Sequence, residues 1–435
     1  MNRGEEMHRT RSLFLLLSVW ILLVGGAAIA QDDGLKLTGW PYQVDVVTEN
    51  LGRFTEQSGH GAEFLPFPSN EYHDKMVASF VAGTEFDVAY VRDSYLAEWA
   101  SAGWILPITG LPGADELLAD LPAGIIEQMS YDGEVYGLPY YSGVQTMAYN
   151  ASHLEAAGID APPETWAEML EQAQMIKDAG VVEYPILMQL RSGENYLLRE
   201  WETLTAARGG RLFDDDFNPL FHLEGSAAWQ ALDWLTEGLD AGLIDPASLT
   251  DDDGTLLMAA GTTSYMTTTD YTLKAMNDPE QSNAAGSIKN ALIPGANDVR
   301  SGSWGYVRLY SITNGAEDMD SAWQLVQFLG GRDATGEYYV AKRWALEFGL
   351  GFSQQGLYQD QDVRDSISGW IDPDLLSEQG EYAISRPYRF VPFFSDWEIG
   401  SWGPLQAAIL GDADKGEVLK DLAEEWNELK EDWGY

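Results

Sequence analysis

The sequence contains no cysteine among its 435 residues. This absence excludes disulfides, thiolate metal sites and a lipid anchor on a cysteine at a secretory cleavage point. Basic residues are also scarce, since 25 Lys and Arg stand against 69 Asp and Glu, and the formal net charge is −44. A charge of this size repels nucleic acids and anionic membrane surfaces. We therefore expect neither as a partner.

The acidic residues are scattered along the chain rather than gathered in a tail. A uniformly charged surface stays soluble where salt screens its self-repulsion. We interpret this pattern as that of an acidic, halophilic protein from a saline habitat.

Only one long apolar run is present, and it lies near the N-terminus. The basic stretch "MHRTR" precedes "SLFLLLSVWILLVGG", and Ala28 and Ala30 occupy the small-residue positions before the polar "QDDG". This order predicts a signal peptide over residues 1–30, cleaved after Ala30. The alternative is a membrane anchor, because the run is nearly long enough to span a bilayer. Cleavage makes the protein exported and periplasmic.

Strand-like and helical segments alternate after the signal peptide. "LKLTGW", "AEFLPF" and "FDVAYV" have the character of strands, and two segments of helical spacing separate them. This alternation predicts an α/β fold with a parallel sheet, in which ligands bind beyond the carboxyl ends of the strands. Trp40, the loop "PSNEY" and "RDSY" should then share one rim. "PPETWAEMLEQAQMIKDAG" and "GSAAWQALDWLTEGLDAGLID" predict further helices, and most of the last hundred residues should also be helical.

Motifs of common catalytic chemistry are missing. The chain has no phosphate loop, no Rossmann glycine motif, no H-E-x-x-H and no G-x-S-x-G. With five histidines and no cysteine, we predict no metal and no cofactor. The runs "DDDFN" and "DDDG" lack the spacing of a calcium loop and are interpreted as solvated turns. With so many acids, no pair of carboxylates can be singled out as catalytic.

Aromatic residues are abundant and many lie beside Gly, Ser or Pro. The stretch "DGEVYGLPYYSGVQTMAYN" alone holds four tyrosines, and the chain has 16 tryptophans. Trp166, Trp229, Trp234 and Trp323 lie on predicted helical faces and should be core residues. Trp304 in "SGSWG" and Trp397 and Trp402 in "FFSDWEIGSWG" lie in stretches that suggest loops. We do not expect tryptophans in such loops to be core residues. Aromatic planes stack on the apolar faces of sugars, while Asn70, Glu71, Arg92 and Asp93 can bind their hydroxyl groups. The pattern predicts a carbohydrate cleft.

Six segments resemble, in the same order, the extracellular solute-binding proteins of family 1, the sugar-binding components of ABC importers, in their maltose- and trehalose-binding branch. They are "YHDKMVASFVAGTEFDVAYV", "GEVYGLPYYSGVQTMAYN", "AAGIDAPPETWAEML", "GGRLFDDDFNP", "GLIDPASL" and "SAWQLVQFL". The resemblance covers nearly the whole mature chain. The acidity and the missing lipid-anchor cysteine depart from many members, which bears on habitat and anchoring.

The resemblance implies a two-lobe periplasmic-binding-protein fold with crossing hinge strands and a ligand cleft between the lobes. The lobes would comprise residues 36–143 with 292–335, and residues 144–291 with 336–435. A monomer would capture an oligosaccharide, a disaccharide or a related polyol and deliver it to the permease subunits of an ABC importer, without enzymatic activity. The likeness places the following residues at the cleft: Trp40, Tyr42, Glu71, Asp93, Tyr141, Tyr271, Trp304 and Trp402, with Trp397 as the alternative to Trp402.

Two other functional classes remain open from the sequence. A secreted glycoside hydrolase would also have an aromatic cleft, but it would consume its sugar, whereas a binding protein returns it unchanged. An adhesion module would show no closure of its lobes on a ligand. If Trp304 lines an open cleft, its truncation should weaken binding and largely spare folding, whereas truncation of Trp234 should destabilise a core.

Overall fold

The computed structural model describes residues 34–83, 86–193, 195–247, 249–384 and 386–435. The predicted signal peptide and its cleavage site lie outside these ranges. Within them, no helix has both the length and the apolar character needed to cross a membrane.

Twelve strands are present in the described ranges, and the two longest are β7 and β11. The strands are β1 (Leu35–Gly39), β2 (Ala62–Pro66), β3 (Val88–Arg92), β4 (Ile105–Leu106), β5 (Ser130–Tyr131), β6 (Glu134–Val135), β7 (Leu138–Asn150), β8 (Ile186–Leu187), β9 (Tyr265–Thr269), β10 (Ile288–Ala291), β11 (Ser303–Thr313) and β12 (Ala383–Ile384).

The helices of the first half of the described chain lie between these strands, singly or in pairs. They are α1 (Val44–Ser58), α2 (Tyr72–Ala82), α3 (Asp93–Ser101), α4 (Ala114–Leu118), α5 (Ala123–Gln128), α6 (Ala151–Ala156), α7 (Trp166–Asp178), α8 (Tyr196–Ala206) and α9 (Ala227–Asp240).

Most of the last hundred residues are helical, as expected. The α-helices of the second half are α10 (Asp251–Ala260), α11 (Thr272–Met276), α12 (Met319–Gly330), α13 (Tyr339–Arg343), α14 (Gln355–Tyr358), α15 (Gln361–Ile367), α16 (Pro373–Glu381), α17 (Phe394–Ile409) and α18 (Lys415–Trp433). A π-helical turn spans Trp344–Phe348 and a 3₁₀ turn spans Pro387–Phe390.

The main sheet has the strand order β2-β1-β3-β11-β7-β9-β8, with β4 and β12 on β11 and β10 on β7. The pairs of β1 with β2 and with β3 are parallel, which confirms the predicted parallel arrangement of the first three strands. Strand β11 is antiparallel to both β3 and β7. Because β1, β2 and β3 are parallel to one another, their carboxyl ends lie at the same edge of the sheet.

Strand β7 passes from one half of the molecule to the other. Its first part, Leu138–Val144, pairs with β11, and its second part, Gln145–Tyr149, pairs with β9. Leu138 and Tyr140 are buried in a first hydrophobic core, whereas Met147 is buried in a second. One continuous strand thus crosses between two cores, which is the arrangement that the predicted two-lobe fold requires.

Each core brings together segments that are distant in sequence. The first core joins β1, β3, α1, α2 and α3 to β11 and α12, and it also includes Val340, Trp344 and Leu350. The second core joins α7, α8 and α9 to α17 and α18. These cores support two α/β lobes. The predicted boundaries between the lobes stay a prediction.

Two local predictions were wrong. The run "DDDG" is not a solvated turn but the first turn of α10, because Thr250 and Asp253 form a reciprocal capping box. The stretch "FFSDWEIGSWG" is not a loop but part of α17. Trp397 is fully buried there and donates its indole N–H to the carbonyl of Leu422 in α18, 2.9 Å away. Packing between the two helices outweighs the glycine and serine content of the segment.

Candidate ligand-binding site

A cavity of about 200 Å³ lies where elements of the two cores meet. Its first side is formed at the carboxyl ends of the parallel strands. Trp40 follows β1, Ser69 lies in the loop after β2, and Arg92 ends β3. Loops at the carboxyl ends of parallel strands are where ligands bind in such sheets. Trp40 and Arg92 share one rim there, as predicted, and both line the cavity.

The rings on this side are fixed by aromatic packing. Trp40 is 8% exposed and meets Tyr72 and Tyr90 edge to face, with ring centroids 5.6 and 5.0 Å apart. The guanidinium of Arg92 lies 5.4 Å from the Trp40 ring centroid and 5.7 Å from that of Tyr95. Such contacts hold an aromatic plane and a cation in a defined orientation.

The second side is built from the beginnings of two helices. Asn195, Tyr196 and Arg199 come from the start of α8, and Asp251 and Asp252 begin α10. The capping box of α10 fixes where that helix begins, and with it the position of the two aspartates. The side chain of Asn195 caps no N–H group of α8.

The crossing strands supply the base of the cavity. Tyr141 from β7, Tyr306 and Arg308 from β11, and Thr269 and Tyr271 at and after the end of β9 all line it. The Tyr141 ring lies edge to face with those of Tyr271 and Tyr306, at 6.1 and 6.0 Å. The hydroxyl of Tyr271 donates to Asp251, 3.2 Å away, and so connects the base to the second side.

Trp304 also lines the cavity, but its surroundings differ from the expectation. It lies in β11 rather than in a loop and is only 2% exposed. Its indole N–H donates to the hydroxyl of Thr203 at 2.9 Å, and the guanidinium of Arg386 lies 4.1 Å from the ring centroid. The expectation of a largely solvent-facing ring was therefore wrong.

A buried ionic cluster lies beside Trp304. The carboxylate of Glu202 accepts from Arg386 at 2.5 Å, from Arg389 at 3.2 Å and from the Tyr388 hydroxyl at 2.6 Å. Burial raises the pKa of Glu202, but the two arginines outweigh burial and hold that pKa below its usual value. The cluster thus keeps Glu202 charged and fixes the guanidinium that stacks on Trp304.

Asp93 is part of the same electrostatic environment without being among the cavity-lining residues. Asp93 is 3% exposed, and its carboxylate pairs with Arg308 at 2.7 Å. Burial opposes ionisation, but Arg308, Arg389 and Arg386 lower the pKa of Asp93 below its usual value. Asp93 therefore orients Arg308 and balances its charge, although Asp93 itself does not line the cavity.

Another buried carboxyl, Asp270, lies beside strand β7 where it passes between the two cores. Asp270 accepts from the Tyr306 hydroxyl at 3.0 Å, and burial raises its pKa to about 7. Gly143 is required opposite it, because a Cβ at that position would lie 2.1 Å from the Asp270 carboxylate. Gly351 approaches the same carboxylate from another segment. The strands thus cross around a tightly enclosed acid.

The structure brings four of the eight predicted site residues into the lining of one cavity: Trp40, Tyr141, Tyr271 and Trp304. Asp93 acts on it through Arg308.

Three predicted residues are not part of this lining in the described chain. Tyr42 packs on Trp344 and Phe348, with centroids 6.0 and 6.3 Å apart. Glu71 is exposed and lies 3.9 Å from Lys75 across one helical turn. Trp402 is half-buried in α17. Because α17 is a helix on the second core, its tryptophans do not form the predicted aromatic loop at the cleft.

Several cavity residues were missed from the sequence, chiefly Asn195, Arg199, Asp251 and Tyr306. For Asp251 a signal was available, since Thr250 followed by Asp253 is a capping-box spacing that marks the start of a helix. For Arg199 and Tyr306 we find no local signal. Their positions depend on how α8 and β11 meet in three dimensions.

Two α/β cores crossed by one continuous strand, with an aromatic and polar cavity where they meet, define a ligand-binding protein of the two-lobe class. The sequence profile described as bacterial extracellular solute-binding protein matches residues 40–336. The chain belongs to this family.

Individual comparisons agree with the family. A Brucella abortus (strain 2308) protein named as a binding protein is 24% identical over 420 residues, covering 94% of this chain and 96% of its own. The structure of maltose-bound MalE3 of T. maritima is similar, with a TM-score of 0.80, 20% identity and coverage of 91% of this chain and 99% of that one. A solute-binding protein of Agrobacterium radiobacter K84 in complex with ribitol has a TM-score of 0.80 and 17% identity, covering 91% and 98%.

Proposed function

We propose that this protein captures a carbohydrate or a related polyol in the cavity and delivers it to the membrane permease of an ABC importer. The observation that carries the proposal is the convergence of aromatic rings with charged and hydroxyl side chains on one cavity between two cores. Rings suit the apolar faces of a sugar, and the polar groups suit its hydroxyls. The ligands named for the two similar structures, maltose and ribitol, belong to the same chemical classes.

The volume of the cavity favours a small ligand. About 200 Å³ is less than the roughly 300–1,000 Å³ typical of pockets for drug-sized ligands. A monosaccharide, a polyol or one sugar unit of a longer ligand suits this space better than a whole oligosaccharide. In this proposal the ligand contacts Trp40, Tyr141, Tyr271 and Trp304 through its apolar faces.

The proposed binding step includes closure of the lobes built around the two cores. We keep residues 36–143 with 292–335 and residues 144–291 with 336–435 as the proposed division, although Val340, Trp344 and Leu350 are buried in the first core. A monomer that closes on its ligand should become more compact. Small-angle scattering with and without a bound sugar tests this, and identical curves at saturation would count against closure.

Export is the second part of the proposal. We propose cleavage after Ala30 and release into the periplasm, supported by the apolar run and the small residues before "QDDG". The intact mass of the protein purified from the periplasm should correspond to a chain that begins at Gln31. A mass that still includes residues 1–30 would overturn this part and leave ligand capture unaffected.

The functional experiment is a thermal-shift panel of monosaccharides, disaccharides and polyols, followed by calorimetry on each hit. A ligand that binds only the folded state raises the melting temperature. The bound sugar is then released by denaturation and analysed by mass spectrometry. Recovery of unchanged sugar supports a binding protein, whereas stoichiometric or catalytic conversion would favour the glycoside hydrolase. Absence of any hit across the panel would count against capture of a neutral sugar or polyol.

A further inference from the structure

Three arginines and two aspartates line the cavity, so its lining carries a net positive charge in a strongly acidic chain. Only 25 of the 435 residues are Lys or Arg, yet three arginines line this one cavity: Arg92, Arg199 and Arg308. No lysine is among the described lining residues. Arginine presents a planar fork of N–H donors that matches two oxygens of one carboxylate or phosphate, which an ammonium group does not. The choice of residue type already favours an oxoanion.

The three arginines are not equivalent. Arg308 is paired with the buried Asp93 at 2.7 Å. Arg92 lies against the rings of Trp40 and Tyr95. Arg199 is 9% exposed, and its Nε and Nη2 atoms have no hydrogen-bond partner in the structure. Its guanidinium lies 5.5 Å from the Tyr196 ring centroid and 5.7 Å from that of Trp304.

The nearby Asp251 does not supply the missing acceptor. Its carboxylate accepts from Gln189 at 3.1 Å, from Tyr271 at 3.2 Å and from Thr268 at 3.4 Å. Among the described residues it forms no ion pair with Arg199. Burial lowers the pKa of Arg199, but the charge of Asp251 and the neighbouring acidic groups raise it above its usual value. Arg199 therefore remains a cation that has two unsatisfied donors.

Nε–H and Nη2–H of an arginine form one edge of the guanidinium, the edge that binds both oxygens of a carboxylate. Leaving such donors buried without an acceptor is costly, so an unsatisfied pair on a residue that lines a ligand cavity indicates a missing partner. The start of α8 adds to the same field, because its first N–H groups receive no cap from Asn195 and carry partial positive charge.

We propose that the ligand of this cavity carries an anionic oxygen group, a carboxylate or a phosphate, that is bound by Arg199. The ligand class is then a sugar acid or a sugar phosphate rather than a neutral sugar or polyol. This inference rests on the proposed function, since it specifies the ligand of the same cavity. Arg92 and the N-terminus of α8 contribute to the attraction, while Arg308 remains engaged with Asp93.

The test is a comparison of matched pairs by calorimetry on the full mature chain. The panel contains uronates, aldonates and 6-phosphates of the common hexoses, each beside its neutral parent sugar or polyol. We expect at least one anionic compound to bind about tenfold or more tightly than its parent, with a dissociation constant that rises with salt. The carboxylate and phosphate members of the panel distinguish the two sources of the anionic group.

Variants connect the preference to Arg199. Arg199→Gln should weaken binding of the preferred anion about tenfold or more relative to its neutral parent, so that the preference between the two is lost. Arg199→Lys keeps the charge but loses the planar pair of N–H donors. It should therefore retain part of the preference for the anion over its neutral parent. The matched control is Arg208→Gln, since Arg208 is 8% exposed, follows α8 and donates to the Leu204 carbonyl away from the cavity lining. It should keep the full preference.

The outcomes separate this inference from the proposed function. If neutral parents bind as tightly as their anionic derivatives, the anion inference is overturned and carbohydrate capture stands. If no anionic compound binds, the inference is overturned as well, and binding of any neutral sugar decides whether the function survives. If Arg199→Gln does not fold, the wild-type pairs, their salt dependence and Arg199→Lys still decide. An anion preference that persists in a folded Arg199→Gln variant would overturn the role of Arg199.

Discussion

Replacing Trp304 by alanine should damage both the fold and the site. The ring is 2% exposed, donates to the Thr203 hydroxyl at 2.9 Å and lies 4.1 Å from the Arg386 guanidinium. It also lines the cavity. A side chain with all of these contacts stabilises the folded protein and positions the ligand at once.

The magnitude follows from burial. Truncation of a buried tryptophan to alanine typically costs ~3–5 kcal/mol of folding free energy. That total already includes the loss of the hydrogen bond to Thr203 and of the contact with Arg386. The matched comparison is Trp234→Ala. Trp234 is 5% exposed and donates to the Trp166 carbonyl at 2.9 Å, but it does not line the cavity. It should lose a similar free energy of unfolding and keep its ligand affinity.

Urea denaturation monitored by circular dichroism gives the free energies of unfolding. Calorimetry at a temperature where both variants are folded gives the ligand affinities. We expect affinity to fall by roughly 30-fold or more in Trp304→Ala alone. A Trp304→Ala variant as stable as the wild type would show that the ring is not packed as described. Equal loss of affinity in Trp234→Ala would show that destabilisation, rather than contact with the ligand, explains the effect.

Three further outcomes are expected. Glu202→Gln should cost ~3–5 kcal/mol in urea denaturation, because it leaves Arg386 and Arg389 buried without a charge partner, and a loss below ~1 kcal/mol would contradict this. Burial raises the pKa of Asp270 to about 7 from 3.8, so the folded protein holds a proton across this window that the unfolded chain has released. The free energy of unfolding should therefore fall as pH rises from about 4 to 7, and an Asp270→Asn variant with the same slope as the wild type would refute this cause. With a net charge of −44, the melting temperature should rise from low to molar salt as the Debye length falls from ~10 to ~3 Å, and a flat trend would remove the saline interpretation.

The alternation of strands and helices could be predicted because it depends on local periodicity. α1 ends at Gly59 with a φ of 80°, and α2 ends at Gly83 with a φ of 70°, so each helix stops at a glycine in the left-handed conformation, which is a local signal. The position of Trp40 at the cavity followed from the same information, because the carboxyl end of a parallel strand is a topological property.

The environment of Trp304 could not be predicted, because it is made by residues distant in the sequence. Thr203 and Arg386 reach this ring from segments that no local pattern connects to it. The ionic cluster around Glu202 has the same origin, and among 69 acidic residues none stands out as buried until the fold is known. Sequence patterns gave the elements, while contacts between elements determined which side chains meet.

The measurement that tests the central claim most directly is calorimetry of a sugar or polyol hit against wild-type protein, Tyr141→Ala and Tyr149→Ala. Both tyrosines are half-buried on β7, but Tyr141 lines the cavity and Tyr149 packs on the second core outside it. We expect one binding site per chain, a loss of ~2 kcal/mol or roughly 30-fold for Tyr141→Ala, and near wild-type affinity for Tyr149→Ala. Wild-type affinity in a folded Tyr141→Ala variant, or an equal loss in both variants, would contradict ligand capture in this cavity.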